Sequence, residues 1–215
     1  MKLFHKKSVF LHHQKIIMKR LIYSKLVKWK NSSGHKPLIL LGARQVGKTY
    51  ILKEFGTKEF KNMVYVNCHK NNFADNLFRD MSVKRIITEV ERYYETKIIV
   101  GETLLVFDEI QEVSDGIASL KYFNEDFPLL HVAVAGSLLG ITLRENESYP
   151  VGKVTTLRMY PMTFAEYLLA RERYQLLEML QNLEWESMKG MDELLVELLR
   201  QYYLTGGMPE AVSKY

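Results

Sequence analysis

The chain has one cysteine, Cys68. That excludes an internal disulfide and suits a reducing cytoplasm; a lone cysteine at the end of a strand pattern is expected as core filler rather than as a nucleophile. Long apolar runs are also lacking, and none approaches the roughly 18 residues of a membrane-spanning helix. The N-terminus is basic, but His12, His13, Gln14 and Lys15 interrupt its apolar part, which argues against a signal peptide. Internal repeats and low-complexity tracts are missing. Acidic residues are absent from positions 1–36, which hold ten Lys and Arg, whereas the rest of the chain holds twenty basic against twenty-five acidic residues. The net charge of +5 is therefore the property of an N-terminal arm on a mildly acidic body. Such an arm is either a solvated tail or a nucleic-acid contact, and no recognition motif accompanies it.

What is present is a chain of 215 residues, 47% of them hydrophobic. That allows one α/β domain with some excess, or one domain and the beginning of another. The organising stretch is Pro37 to Thr49, PLILLGARQVGKT. Leu38 to Leu41 read as a strand covered on both faces. The octet Gly42, Ala43, Arg44, Gln45, Val46, Gly47, Lys48 and Thr49 satisfies G-x-x-x-x-G-K-[ST] at every fixed position. The glycines permit a tight turn whose successive N–H groups hold phosphate oxygens at a helix start. Lys48 is expected to reach the β and γ phosphates, and the Thr49 hydroxyl to sit on Mg²⁺, a hard cation that takes oxygen ligands. Tyr50 to Phe55 continue as a helix that Gly56 is placed to end.

A second informative stretch is Gly101 to Gln111, GETLLVFDEIQ. Four strand apolars, Leu104 to Phe107, run into Asp108 and Glu109 where a buried parallel strand emerges at its C-terminal edge. An acid in that position is costly without a metal or ammonium partner. Asp108 is the expected Mg²⁺ holder with Thr49, mostly through bound water, and Glu109 is placed to orient or deprotonate an attacking water. Leu129 to Ala135 give another buried strand, followed by Gly136 and Ser137, which sets Ser137 beside the γ-phosphate loop as a candidate sensor of that phosphate.

Other segments read as follows. Met18 to Lys30 form an amphipathic helix, whose Tyr23 or Trp29 either stacks on a base or simply packs the helix down. Met63 to Asn67 are a second strand, and Val83 to Tyr94 a crossover helix with Ile86, Ile87, Val90, Tyr93 and Tyr94 on one stripe. Val154 to Met159 are a fifth strand. Phe164 to Glu184 and Met191 to Leu204 are helical, and Pro209 suits the first turn of another helix.

Taken together, GARQVGKT, LLVFDEIQ, the AGS strand end, PMTFAEYL and YLTGGMPEAV resemble the prokaryotic AAA+ superfamily ATPases that carry a C-terminal domain of unknown function. The resemblance runs from about Met18 to the end. It implies an α/β P-loop NTPase, three-layer α/β/α, with a five-stranded parallel sheet in the order 5-1-4-3-2 and a helical segment after it. It also implies ATP with Mg²⁺, phosphate contacts from Gly42 through Tyr50, metal contacts from Thr49 and Asp108, and catalytic roles for Lys48, Asp108, Glu109 and Ser137. Where the family tends to have Gly-Arg ahead of the fifth strand, this chain has Gly152 and Lys153, a point charge in place of a planar fork. Arg144 and Arg158 are the other candidates for an arginine finger.

The expected organisation is a basic extension and helix over 1–36, an AAA+ ATPase core over 37–165, and a helical lid or the start of a truncated C-terminal domain over 166–215. The expected function is a cytoplasmic ATPase that hydrolyses Mg·ATP slowly to drive a conformational change. Two rivals stand beside it: a nucleotide-dependent switch with negligible turnover, and a DNA-stimulated ATPase. A homo-oligomer is a possible state, with the missing C-terminal domain as a further partner and no membrane contact.

Overall fold

A computed structural model describes residues 19–137 and 150–215. The basic arm over residues 1–17, Arg144 and most of the charged loop from Glu145 lie outside the described residues. Five strands form the sheet: β1 (Leu38–Leu41), β2 (Asn62–Asn67), β3 (Thr103–Asp108), β4 (His131–Ala135) and β5 (Thr155–Arg158). They pair in the order β2-β3-β4-β1-β5, all parallel, which is the sheet order implied above.

The strand sequences match their places. β1, β3 and β4 are buried along their whole length, as continuous apolar strands between two helical layers must be. The edge strands β2 and β5 are only partly buried, and β5, TTLR, alternates half-buried with exposed positions. Alternate residues of each central strand serve opposite faces. Leu38, Leu40, Leu104, Val106, Ala133 and Ala135 pack against α1 (Ile22–Lys30) and α2 (Lys48–Glu59). Ile39, Leu105, Phe107, Val132 and Val134 face α3 (Asn72–Leu77), α4 (Val83–Tyr93) and α5 (Gly116–Asp126).

Several local expectations need correction. Gly56 does not end α2, which runs three residues further. A Cβ there would lie 2.3 Å from Met63 Sδ, so this glycine lets the helix approach β2. Tyr93 is 57% exposed and stacks on Phe73 with ring centroids 4.0 Å apart, so it lies off the buried stripe of α4. The strand β4 begins at His131, and Leu129 is solvent-exposed. Tyr23 and Trp29 take the packing role: both rings lie against Phe55 of α2, and Trp29 Nε1 donates to the Lys36 carbonyl at 2.8 Å.

After β5 come four helices, α6 (Phe164–Ala170), α7 (Tyr174–Gln181), α8 (Asp192–Thr205) and α9 (Pro209–Lys214). The segment expected as one helix over 164–184 is two, broken where Glu172 takes a left-handed φ of 57°. A capping box, in which Thr163 and Glu166 bond each other's backbone N–H, starts α6. These helices share a separate core of Met162, Tyr167, Leu168, Leu176, Leu198 and Val212.

Candidate functional site

Sheet register brings distant sequence to one edge. Leu40 and Asp108 both pair with Ala135, so the ends of β1, β3 and β4 lie level. Gly42, Glu109 and Gly136 to Ser137 therefore leave the sheet side by side, at the C-terminal edge where open α/β sheets hold ligands.

The turn from β1 into α2 is shaped by its glycines. A Cβ on Gly42 would sit 2.4 Å from the Met159 carbonyl oxygen, so the end of β5 approaches too closely for any side chain. Gly47 has φ 95°, in the left-handed region that favours glycine, and is the residue from which α2 starts. Gln45 is also left-handed, with φ 65°. Ala43, Arg44, Gln45 and Tyr50 are exposed, while Val46 is fully buried and anchors the turn. The first residues of α2 leave backbone N–H groups without helical partners, the arrangement that receives anions. Lys48 is buried and folds back over the turn, donating from Nζ to the carbonyls of Gly42 (2.9 Å) and Ala43 (2.8 Å). Burial pushes its pKa down, against the charges of Glu109 and Asp108, which pull it up.

Asp108 is buried, and its Oδ2 accepts hydrogen bonds from Thr49 Oγ1 at 2.6 Å and from the Tyr65 hydroxyl at 2.7 Å. Its Oδ1 accepts from the Glu109 amide at 3.1 Å. Burial and the bond to Asp108 push the Tyr65 phenol up, so it stays a donor. Glu109 sits in the left-handed region with φ 54°, uncommon for a residue with a Cβ. Its Oε2 accepts from Gln111 Nε2 at 2.6 Å, the Ser137 amide at 3.0 Å and the Ser137 hydroxyl at 3.2 Å. Burial raises the Glu109 pKa, but these bonds and the nearby Lys48 charge outweigh it and hold the carboxyl below its ordinary range.

The donor set fits a magnesium triphosphate. Thr49 and Asp108 offer hard oxygen ligands on one spot, and among the described residues no three His, Cys, Asp or Glu side chains gather into a closed metal cage. That suits a cation that keeps several waters and arrives with its phosphates. Lys48, Thr49, Asp108, Glu109 and Ser137 thus share one sheet edge. Lys153 does not join them: its strand begins opposite Leu38, at the other edge, and its Nζ pairs with Glu125 at 2.9 Å. Arg158 is exposed at the end of β5.

Four contributors escaped the sequence reading. Gln111 ends an informative stretch and Tyr65 lies in the second strand, but only the structure directs them onto Glu109 and Asp108. The other two are Arg20 and Glu166, a buried ion pair at 3.0 Å beside the turn. Cys68, by contrast, is core filler as expected: its buried thiol is pushed up to about 12 by desolvation, with Asp108 and Asp75 adding to it.

A glycine turn opening a helix at the C-terminal edge of a five-stranded parallel sheet defines a P-loop NTPase. The chain belongs to the AAA domain family, whose model matches residues 34–168, and is at the general level a nucleotide-binding ATPase domain. No curated protein matches it. Among solved structures it is similar to the Walker-type ATPase PABY2304 of Pyrococcus abyssi, at 17% identity and a TM-score of 0.56, over 92% of this chain and 66% of that one. It is more loosely similar to the Aeropyrum pernix ORC1 protein solved in complex with DNA, at 16% identity and a TM-score of 0.45, over 71% of this chain and 47% of that one. The chain thus spans two thirds or less of these proteins.

Proposed function

We propose that the chain binds Mg·ATP at the Gly42 to Tyr50 turn and hydrolyses it slowly, to move the helices that follow β5. The observation that carries this reading is the convergence of the Thr49 and Tyr65 hydroxyls on one carboxylate oxygen of Asp108, with Glu109 and Ser137 next to it. In this reading the turn amides and Lys48 hold the phosphates, and Thr49 and Asp108 hold Mg²⁺, which would supply charge neutralisation at the phosphates. Glu109 takes a proton from water, and Ser137 releases it to do so. The Glu109 carboxyl is ionised at neutral pH, as a base must be.

The core is taken to run over 37–165 and a helical lid over 166–215; the separate apolar cluster of Tyr167, Leu176, Leu198 and Val212, which also takes in Met162, supports a second unit that begins near that boundary. A cytoplasmic setting belongs to the same reading, with a second copy of the chain as the candidate for completing the site. The test is steady-state phosphate release by wild type and Glu109→Gln. Turnover in wild type and a loss of about a hundredfold or more in the variant support the reading; equal rates sink it.

A second reading, a nucleotide-dependent switch, is favoured by the position of Lys153, which lies at the far sheet edge and pairs there with Glu125, away from Lys48, Asp108 and Glu109. Release no faster than about 10⁻⁴ s⁻¹, the intrinsic level of a small GTPase, favours the switch.

A further inference from the structure

Arg20 stands just ahead of α1 with a side chain only 4% exposed. Its guanidinium meets three separate segments: Nε donates to Glu166 Oε1 at 3.0 Å, Nη1 to the Val46 carbonyl at 2.7 Å, and Nη2 to the Tyr160 carbonyl at 2.6 Å. Glu166, equally buried, also accepts from the Leu21 amide at 2.8 Å and the Thr163 amide at 2.9 Å. One cation thus ties the phosphate turn, the strap after β5 and the first C-terminal helix together. The last helix reaches the same place: a Cβ on Gly47 would lie 3.7 Å from Pro209 Cγ, 3.6 Å from Met159 Cε and 3.8 Å from Arg20 Nη1.

The choice of the Val46 carbonyl matters. A peptide unit is planar and trans, so its C=O and N–H point in opposite directions. Holding the Val46 oxygen toward Arg20 turns the Gly47 N–H away from it and fixes the rotation of that peptide. The Gly47 amide is one of those that would meet phosphate. Mere attachment of the helices needs no such group: apolar side chains of similar volume hold buried surfaces together as well as an ion pair does.

We infer that Arg20 is a positioning residue that makes docking of the C-terminal helices and the phosphate-binding shape of the turn a single equilibrium. This rests on the nucleotide-binding reading above. With Glu166 docked, the guanidinium is held and presents its Nη1 to Val46; with the helices released, both lose their place. By linkage, docking tightens nucleotide binding by the same factor as nucleotide tightens docking.

The test is a cycle of wild type, Arg20→Lys, Glu166→Gln and the double variant. Affinity for a fluorescent ATP analogue with Mg²⁺ is titrated, and amide hydrogen exchange over 164–214 is followed with and without it. In wild type, nucleotide should slow exchange in α6 and α9. Arg20→Lys, whose ammonium cannot span three acceptors as a planar fork does, should lose about tenfold in affinity. The loss should fall in KM for ATP more than in turnover at saturation, exchange over 164–214 should cease to respond to nucleotide, and the double variant should lose little more than either single one. Wild-type affinity in Arg20→Lys, or an undiminished exchange response there, overturns the inference while leaving the binding reading intact. Should Arg20→Lys not fold, Glu166→Gln alone decides: a lost exchange response supports the coupling and a wild-type response overturns it. Absence of nucleotide uptake by wild type defeats the binding reading and this inference with it.

Discussion

Glu109 and Ser137 are bound to each other twice: the Ser137 amide (3.0 Å) and hydroxyl (3.2 Å) both donate to Glu109 Oε2. The carboxylate proposed to act on water is thereby engaged by the hydroxyl proposed to sense phosphate. Donors to an ionised carboxylate favour its charged form, and the Glu109 pKa lies below its usual range despite burial. The loss of turnover that reports Glu109 is therefore expected on the acid side, with none from this group at neutral pH. Ser137→Ala removes one of these donors, so the acid limb of the turnover profile should move to higher pH. A limb that stays in place contradicts the coupling.

Tyr65 tests the metal side. Its hydroxyl shares Asp108 Oδ2 with Thr49, and its phenol is held protonated. Tyr65→Phe is expected to cost about 1 kcal/mol of stability and to raise several-fold the Mg²⁺ concentration that half-saturates nucleotide binding. An unchanged Mg²⁺ requirement would show that Asp108 is oriented without it.

Close approach at Gly42 gives a sharper steric outcome. The obstructing atom is a backbone carbonyl, Met159 O, that cannot rotate aside. Gly42→Ala should destabilise the chain by about 1–3 kcal/mol and weaken nucleotide uptake. Gly34→Ala, where no atom lies within 4 Å, serves as the control and should leave both within error.

How far the sequence carried this differs by element. β1, β3 and β4 were legible because a central parallel strand must be apolar on both faces, and Asp108 and Glu109 because charges seldom follow such a run. Gly56 misled because a glycine in a helix looks like a stop, and only the position of Met63 reveals it as a place of close packing. The break at Glu172 left no glycine or proline to mark it. Arg20 was one of ten basic residues in an arm that read as a charge run, and its partner Glu166 lies 146 positions away. No local pattern encodes a contact of that span.

Remote from the site, His131 opens β4 on the Trp29 side of the sheet. Its ring stacks on His35 with centroids 3.8 Å apart, its Nε2 lies 3.1 Å from the Lys30 carbonyl, and its Nδ1 is buried without a partner. Burial lowers its pKa from 6.5 to about 4; the bond to the Lys30 carbonyl opposes this, and the nearby His35 and Lys30 charges add to it. The unfolded chain therefore binds the extra proton first. Stability from the neutral ring is fully present above pH 6.5 and is lost as pH falls toward about 4, by up to the order of 3 kcal/mol. Urea melts of wild type and His131→Phe across that range should show a shallower decline in the variant; parallel curves would contradict the assignment.

The most direct test of the whole account is a calorimetric titration of the chain with Mg·ATP, set beside Lys48→Ala. The account predicts saturable uptake with one site per chain in wild type and loss of that uptake in the variant, whose fold is unchanged by circular dichroism. Uptake of equal affinity in both proteins, or none in wild type, would contradict it.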